Sequence, residues 1–428
     1  MNEGVMAKSA AGPVISGRRL LVWGAIALFM IVLPFIFRQS FALSMLSQMG
    51  IAIIFALSYN MLLGQTGLLS FGHAVYYGLA AFICAHTLNA MAAGKFSIPV
   101  TLLPLVGGLS GLVFGSLLGY VTTRRAGTPF AMISLGIAEL VAASALMFPA
   151  FFGGEGGIAT NRQIGQPWHG LSYGPQIQVY YLIAGWCVVC MIAMFALTQT
   201  PLGRMANAVR DNPERARFVG YDPTRVRYIM LCLAAFFAGV AGALGTINYE
   251  IVTAENVGLV ASGNVLIMAF IGGVGYFFGP VIGAVLVTFL QSALSSYTQA
   301  WLLYFGLFFV VMVMFAPGGI ASLIMVHAPA WRERLLARLI PSYVVCALAL
   351  AVVFAGGVAL VEMIYHTEGD ADKAFRLFGV AVDASRAAPW ILAALAFGVG
   401  NVLFALALRP LRRAWGDVNT ELIKRGAQ

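Results

Sequence analysis

Long apolar runs separated by short polar interruptions make up almost the whole chain. The runs cover residues 20–37, 43–63, about 74–91, 98–121, 128–152, 178–197, 228–247, 257–296, 301–315, 342–365 and 389–408. Most reach the roughly 20 residues that a helix needs to cross a bilayer core of about 30 Å. The run 257–296 is too long for one crossing and is broken by Gly272, Gly273, Gly275, Gly279 and Pro280, so it predicts two. The pattern predicts an all-α polytopic membrane protein with about 10–12 transmembrane helices, some of them broken at glycine, and a simple count of runs gives about twelve.

The interruptions carry the information. The most distinctive is TPLGRMANAVRDNPERARFVGYDPTRVR, residues 200–227. Asn212 is a good N-cap, Pro213 suits the first helical position, and Glu214 places an anion where the helix dipole favours one. Gly220 is the residue type that most readily ends a helix in a left-handed turn. The segment therefore predicts one short helix over residues 213–219, roughly 10 Å long. Asp222 and Pro223 repeat the start signal and lead into the next apolar run. From spacing alone this is either a solvated loop with ordinary caps or a stiff knob for docking another protein.

A second interruption, GQTGLLSFGHA at 64–74, contains no Lys, Arg, Asp or Glu. It reads as a break at membrane depth, where only protein or a wet cavity can satisfy free backbone groups, or as a tight turn at the water. Its neighbours Asn60, Gln65, Ser70 and His73 are candidates for a translocation pathway; a lone His in an apolar run also fits simple packing. Glu139 lies about 15 Å into the run that starts at 128, near the bilayer midplane. A carboxylate there costs roughly 3 kcal/mol against lipid, so it needs protein or water as a neighbour. Gly136, Ala142 and Ala143 beside it leave room for another helix. A loose echo links Gly64, Gly67, Phe71 and Gly72 to Gly272, Gly275, Phe278 and Gly279, a weak sign of duplicated halves.

Composition agrees with the pattern: 61% of residues are hydrophobic and 10% charged, with a mean hydropathy of +0.89. The net charge of +9 does not indicate nucleic-acid binding, because the basic residues fall between the apolar runs and form no single patch. Cys84, Cys187, Cys190, Cys232 and Cys346 all lie inside apolar runs and read as small hydrophobes, with no disulfide framework. Lys8, Arg18 and Arg19 precede the first run, but no small-residue cleavage site follows it, so it reads as a retained helix. With the N-terminus inside, the inner segments hold 19 of the 25 Lys and Arg residues, which satisfies the positive-inside rule. Residues 200–227 then face the cytoplasm, and the polar loop 153–172, with GGEGG and Trp168, faces outward.

On these residues the chain resembles LivM-type permease subunits of the branched-chain amino acid ABC importer family. The stretches that carry the resemblance are NMLLGQTGLLSFGHA from Asn60, FAMISLGIAEL from Phe130, PLGRMANAVRDNPERARFVG from Pro201, FFAGVAGAL from Phe236, GGVGYFFGPVIGA from Gly272 and FAPGGI from Phe315. Glu214, Ala216 and Gly220 keep the Glu-x-Ala-x-x-x-Gly spacing of that family's coupling loop. The resemblance implies an ABC importer permease fold and assigns Arg210, Asn212, Pro213, Glu214, Ala216 and Gly220 to ATPase coupling. It implies a complex with a second homologous permease, two cytoplasmic ATPases and a periplasmic substrate-binding protein, in a bacterial inner membrane with both termini cytoplasmic. The substrate would be a branched-chain or other hydrophobic amino acid, or a related small solute such as urea, an amide or an aromatic acid. ATP and Mg would be bound by the partner ATPases, since this chain has no G-x-x-x-x-G-K-[ST] phosphate loop and no cofactor of its own is expected.

Two departures stand out. GGEGGI replaces the family's usual Gly-Gly-Ser/Thr-Asp-Gly, which makes Glu155 the candidate contact for the binding protein. The last hundred or so residues lie outside the common pattern. The expected division is a cytoplasmic N-terminus at 1–19, a permease core at 20–325 and an extension at 326–428 with two further spans and a basic tail. Two other classes compete: an ion-coupled secondary transporter, which needs no capped knob, and an intramembrane enzyme using His73 and Glu139 as acid and base, which lacks a nucleophile or metal ligands nearby.

Overall fold

The computed structural model describes residues 17–163, 172–368, 374–377 and 380–425, so Lys8 and Trp168 lie outside the described residues. Helices dominate because a chain this apolar must satisfy its backbone internally. The chain divides into two compact units, Met1–Leu294 with Phe308–Ala321, and Ser295–Leu307 with Ser322–Gln428.

The first unit holds α1 (Gly17–Ile36), α2 (Ser40–Thr66), α3 (His73–Ala92), α4 (Leu103–Thr122), α5 (Thr128–Met147), the single turn α6 (Pro149–Phe152), α7 (Gln176–Gln199), α8 (Pro201–Asp211), α9 (Pro213–Phe218), α10 (Pro223–Tyr249), α11 (Leu259–Gly272) and most of α12 (Gly279–Tyr297). Among the described residues nine helices are long and apolar enough to cross a membrane, or ten if α13 (Trp301–Phe315) and α14 (Gly319–Arg332), bent by 45°, are one span. The expected 10–12 helices include α1 and α11, which this length test does not count among the described residues. At 14 residues α11 reaches roughly 21 Å, short of a bilayer core.

α10 is the buried axis of this unit and packs on α2, α3 and α4. Its sequence makes that possible: FFAGVAGALGT presents small residues on every side. Facing it, α4 carries Gly107, Gly111, Gly115 and Gly119, one per turn. A Cβ on Gly111 would sit 2.3 Å from the Ala235 carbonyl oxygen, and one on Gly107 would sit 2.5 Å from that of Gly239. Between helices in lipid, dispersion and close backbone approach provide the attraction, and small residues permit both.

At one end of this unit, strands β1 (Ile158–Ala159) and β2 (Ile251–Val252) pair antiparallel. Arg162 fastens this end. Its guanidinium is buried and donates to the carbonyls of Tyr173 at 2.8 Å, Asn248 at 3.2 Å and Gly174 at 3.2 Å, and to Gln176 Oε1 at 3.2 Å. Burying a guanidinium costs several kcal/mol, and four bonds at about 1.5–3 kcal/mol each are enough to offset it.

The second unit contains α15 (Leu336–Glu368), strands β3 (Ala374–Leu377) and β4 (Val380–Asp383), which pair antiparallel, and α16 (Ala387–Lys424). α15 and α16 run antiparallel. A Cβ on Gly356 would meet the Phe397 nitrogen at 2.5 Å, and Cys346 Sγ donates to the Ala407 carbonyl at 3.3 Å. Glu362 is a buried carboxylate in α15, satisfied by the Thr298 hydroxyl at 2.8 Å and the Tyr304 hydroxyl at 3.0 Å. At the other end Ala330, Leu335, Leu339, Val418 and Leu422 form a small core, with Tyr343 receiving Trp415 Nε1 at 2.8 Å.

Candidate functional site

The capped segment 200–227 folds into two helices where the sequence predicts one. Thr200 accepts the Gly203 amide at 3.3 Å and Pro201 opens α8, so residues 201–211 are helical rather than loop. α8 buries Gly203, Ala206 and Val209. Asn212 ends α8 and caps α9, its Oδ1 accepting the Arg215 amide at 2.9 Å. α9 covers Pro213–Phe218, one residue shorter than the prediction, because Val219 has already left the helix as its C-cap. Gly220 adopts φ 92°, and the Tyr221 amide closes the turn on the Ala216 carbonyl at 3.1 Å. Asp222 then caps α10 by accepting the Thr224 amide at 2.9 Å.

Within this peg Ala216 is buried, whereas Glu214 and Gly220 are exposed. Phe218 is 92% exposed, Val219 69% and Tyr221 44%. Three apolar side chains thus project from a segment that is otherwise charged. Sequence reasoning did not single them out, because the caps drew attention to Asn212–Glu214. The available signal was FVGY itself, an apolar cluster at the end of a polar helix.

Arg210 points back into the bundle. Its guanidinium donates to the Gly64 carbonyl and, at 2.9 Å, to Asp211 Oδ1. A Cβ on Gly67 would lie 3.0 Å from Arg210 Cγ. The glycine-rich turn 64–72 is therefore at the α8 end of α2. α2 stops there with Gly67 at φ 70°, the Gly67 amide bonding Leu63 and the Leu68 amide bonding Leu62, the double bond that satisfies terminal carbonyls. Protein wraps the turn: the Phe71 amide donates to Ser134 Oγ at 3.0 Å, the Ala74 amide to Ser262 Oγ at 3.0 Å, and the Tyr59 hydroxyl to the Ser70 carbonyl at 3.1 Å.

The second glycine cluster meets the first. A Cβ on Gly64 would lie 2.7 Å from the Val274 carbonyl, and one on Gly273, at φ 113°, would lie 2.5 Å from that of Gly318. The α2–α3, α11–α12 and α13–α14 turns gather in one place, where backbone crowds Gly64, Gly272, Gly273, Gly279 and Gly319 too closely for a side chain.

Asn60, Gln65, Ser70 and His73 are all buried at this hub. His73 Nε2 lies 2.9 Å from Ser58 Oγ, and the ring stacks on Phe55. Among the described residues Asn60 Oδ1, Gln65 Oε1 and His73 Nδ1 have no hydrogen-bond partner. Glu139 is elsewhere. α5 turns Phe130, Ser134, Ala138 and Val141 inward and leaves Met132, Gly136, Glu139, Leu140 and Ala143 exposed. Glu139 makes no ion pair or hydrogen bond with the described residues. The structure thus separates the five pathway candidates into a buried group of four and one carboxylate on an outer helix face. Glu155 is exposed in the turn Gly154–Gly156, beside Gly153, Gly154 and Gly157, which all take positive φ. That geometry explains why glycines surround it.

A sequence model of the family described as "Branched-chain amino acid transport system / permease component" matches residues 41–317. High-affinity branched-chain amino acid transport system permease protein LivM of Salmonella typhimurium is 28% identical over 294 residues, 63% of this chain and 67% of that protein. LivH of Escherichia coli K12 is 23% identical over 255 residues, 57% of this chain and 82% of its own length. Fructose import permease protein FrcC of Rhizobium meliloti is 26% identical over 211 residues, 47% of this chain and 58% of that protein. No solved structure matches. The matched region holds the capped peg, the glycine hub and the outer face of α5, and it spans well over half the chain: the protein belongs to the permease-component family of branched-chain amino acid transport systems.

Proposed function

We propose that this chain is the membrane permease of an ATP-driven bacterial importer for branched-chain or other hydrophobic amino acids, working with a second permease, two cytoplasmic ATPases and a periplasmic binding protein. The observation that carries this reading is the apolar tip Phe218–Val219–Tyr221 on a capped, charged peg, which suits a helix docked in a groove. ATP chemistry and its Mg then belong to the docked partners. The relatives are permeases of branched-chain amino acid transport systems and of a fructose import system, which favours this reading over an ion-coupled transporter.

Movement of the peg has two routes inward. Asp222 joins it to α10, the buried axis, and Arg210 joins it to the Gly64 carbonyl at the glycine hub. Both connections are short and stiff, so tilting of α8–α9 reaches the bundle as rigid-body motion. The peg faces the cytoplasm in this reading and the Glu155 turn faces the binding protein. Purified with its neighbours, the chain should bring down ATPase subunits and support ATP-driven leucine uptake in proteoliposomes. Uptake driven by an ion gradient without ATP would refute the reading.

Glu139 belongs on the pathway side. Exposed to lipid it would cost roughly 3 kcal/mol or more, so its face of α5 meets the partner permease or the wet passage between them. Glu139→Gln should leave assembly intact and lower substrate-stimulated ATP hydrolysis several-fold. An unchanged rate and substrate affinity would make the side chain a packing group only.

A further inference from the structure

The second unit carries a groove that amino acid import leaves unexplained. An opening of about 470 Å³ lies between α15 and α16, lined by Val345, Leu348 and Val352 on one side and Leu403, Leu406 and Pro410 on the other. Every residue that lines it is of an apolar type. Arginines stand at the end toward Pro410. Arg338 is seven residues before Val345, two turns along the same stripe of α15. Arg413 is three residues beyond Pro410 and seven beyond Leu406, on the same stripe of α16. Both are exposed.

The nearby carboxylates are largely engaged. Arg425 holds Glu333 at 3.4 Å and Glu421 at 3.1 Å. Asp417, one turn past Arg413, forms no ion pair with it among the described residues. Trp331 is 73% exposed at the same end of the unit, a residue type that favours the membrane–water boundary.

We infer that this groove binds an anionic phospholipid, with an acyl chain along Leu348 and Leu406 and the phosphate between Arg338 and Arg413. The slot needs an apolar occupant and its mouth needs an anion. A phospholipid joins the two in one molecule, whereas a cytoplasmic protein could reach the arginines but not the slot. Guanidinium groups pair with phosphate oxygens through two parallel bonds. Placing the headgroup in the inner leaflet rests on the cytoplasmic C-terminus expected from the sequence. Binding measured in detergent does not depend on that orientation, so failure of the site and failure of the topology remain distinguishable.

The test is native mass spectrometry of the full-length chain titrated with phosphatidylglycerol or phosphatidylcholine. Wild type should retain phosphatidylglycerol in preference. Each basic residue near the surface contributes about 1 kcal/mol, so Arg338→Gln with Arg413→Gln should reduce the preference roughly 25-fold, and either alone roughly fivefold. Arg332→Gln with Arg334→Gln removes the same charge from the same end, off the α15 and α16 stripes that line the groove, and should change it little. Leu348→Trp fills the slot and should weaken retention of both lipids. Equal retention of the two lipids by wild type, or equal losses from the two arginine pairs, overturns the site. So does cross-linking of a Leu406→Cys chain to a protein subunit. If the double variant fails to elute as folded protein, Arg413→Gln alone carries the same reading.

Discussion

A Phe218→Asp chain is expected to insert and fold normally and yet lose its ATPase partners. Phe218 is 92% exposed and touches little of its own chain, so its removal costs the fold almost nothing. Buried in a partner's groove, a phenylalanine contributes about 2–3 kcal/mol from area alone. An aspartate in its place adds the cost of desolvating a carboxylate. Together these place it among interface residues worth roughly 2–4 kcal/mol, a loss of at least about thirtyfold in affinity. Detergent co-purification reads the loss directly, and ATP-driven uptake should fall with it. Phe218→Leu, which keeps an apolar tip, should retain most of both. Full partner retention by Phe218→Asp would show that the peg docks through its charged residues or does not dock at all.

The second large effect is expected inside the bundle. Gly111→Leu places a Cβ 2.3 Å from the Ala235 carbonyl oxygen and 3.0 Å from the Gly239 Cα. Both are backbone atoms of the buried axis α10, so no side chain can rotate away. α4 and α10 must separate, and dispersion along the whole glycine stripe weakens at once. A cost above about 3 kcal/mol is expected, which is large against marginal stability. Thermal unfolding of the purified protein should show a clear drop or no folded peak. Gly185→Leu on α7 is the control, since a Cβ there meets nothing within 4 Å. If both variants melt alike, the stripe has no special role in packing.

Much of the organisation was legible in the chain. Apolar run length located the helices, and Asn212, Pro213, Gly220 and Asp222 marked helix ends that the structure reproduces to within a residue. These signals are local. A cap is a bond to an amide two or three residues away, and a span is a run of residues that water rejects. The extra helix α8 was missed although Thr200 and Pro201 are start signals of the same kind. Its residues mix charged and apolar types, and only the bundle surface that buries Ala206 and Val209 makes helix the better choice there.

Contact between distant segments was not legible. Nothing in residues 60–74 says that Arg210 will donate to the Gly64 carbonyl, or that Val274 will press against Gly64. Arg210 read as one more charge of the docking loop, yet it faces the membrane bundle. Glu139 and Ser134 sit five residues apart on one helix, and the run alone does not say which of them faces inward; the packing of α5 buries Ser134 and exposes Glu139.

Order along the chain is enough to set the class of protein, most of its helices and the capped peg, because burial of apolar runs and satisfaction of backbone groups depend on near neighbours. Packing in three dimensions sets which glycines meet, which way Arg210 turns, which carboxylate is left on an outer face and where a groove opens between α15 and α16. Those outcomes depend on how close two backbones come in space, a distance set by every residue between them and written in no single stretch.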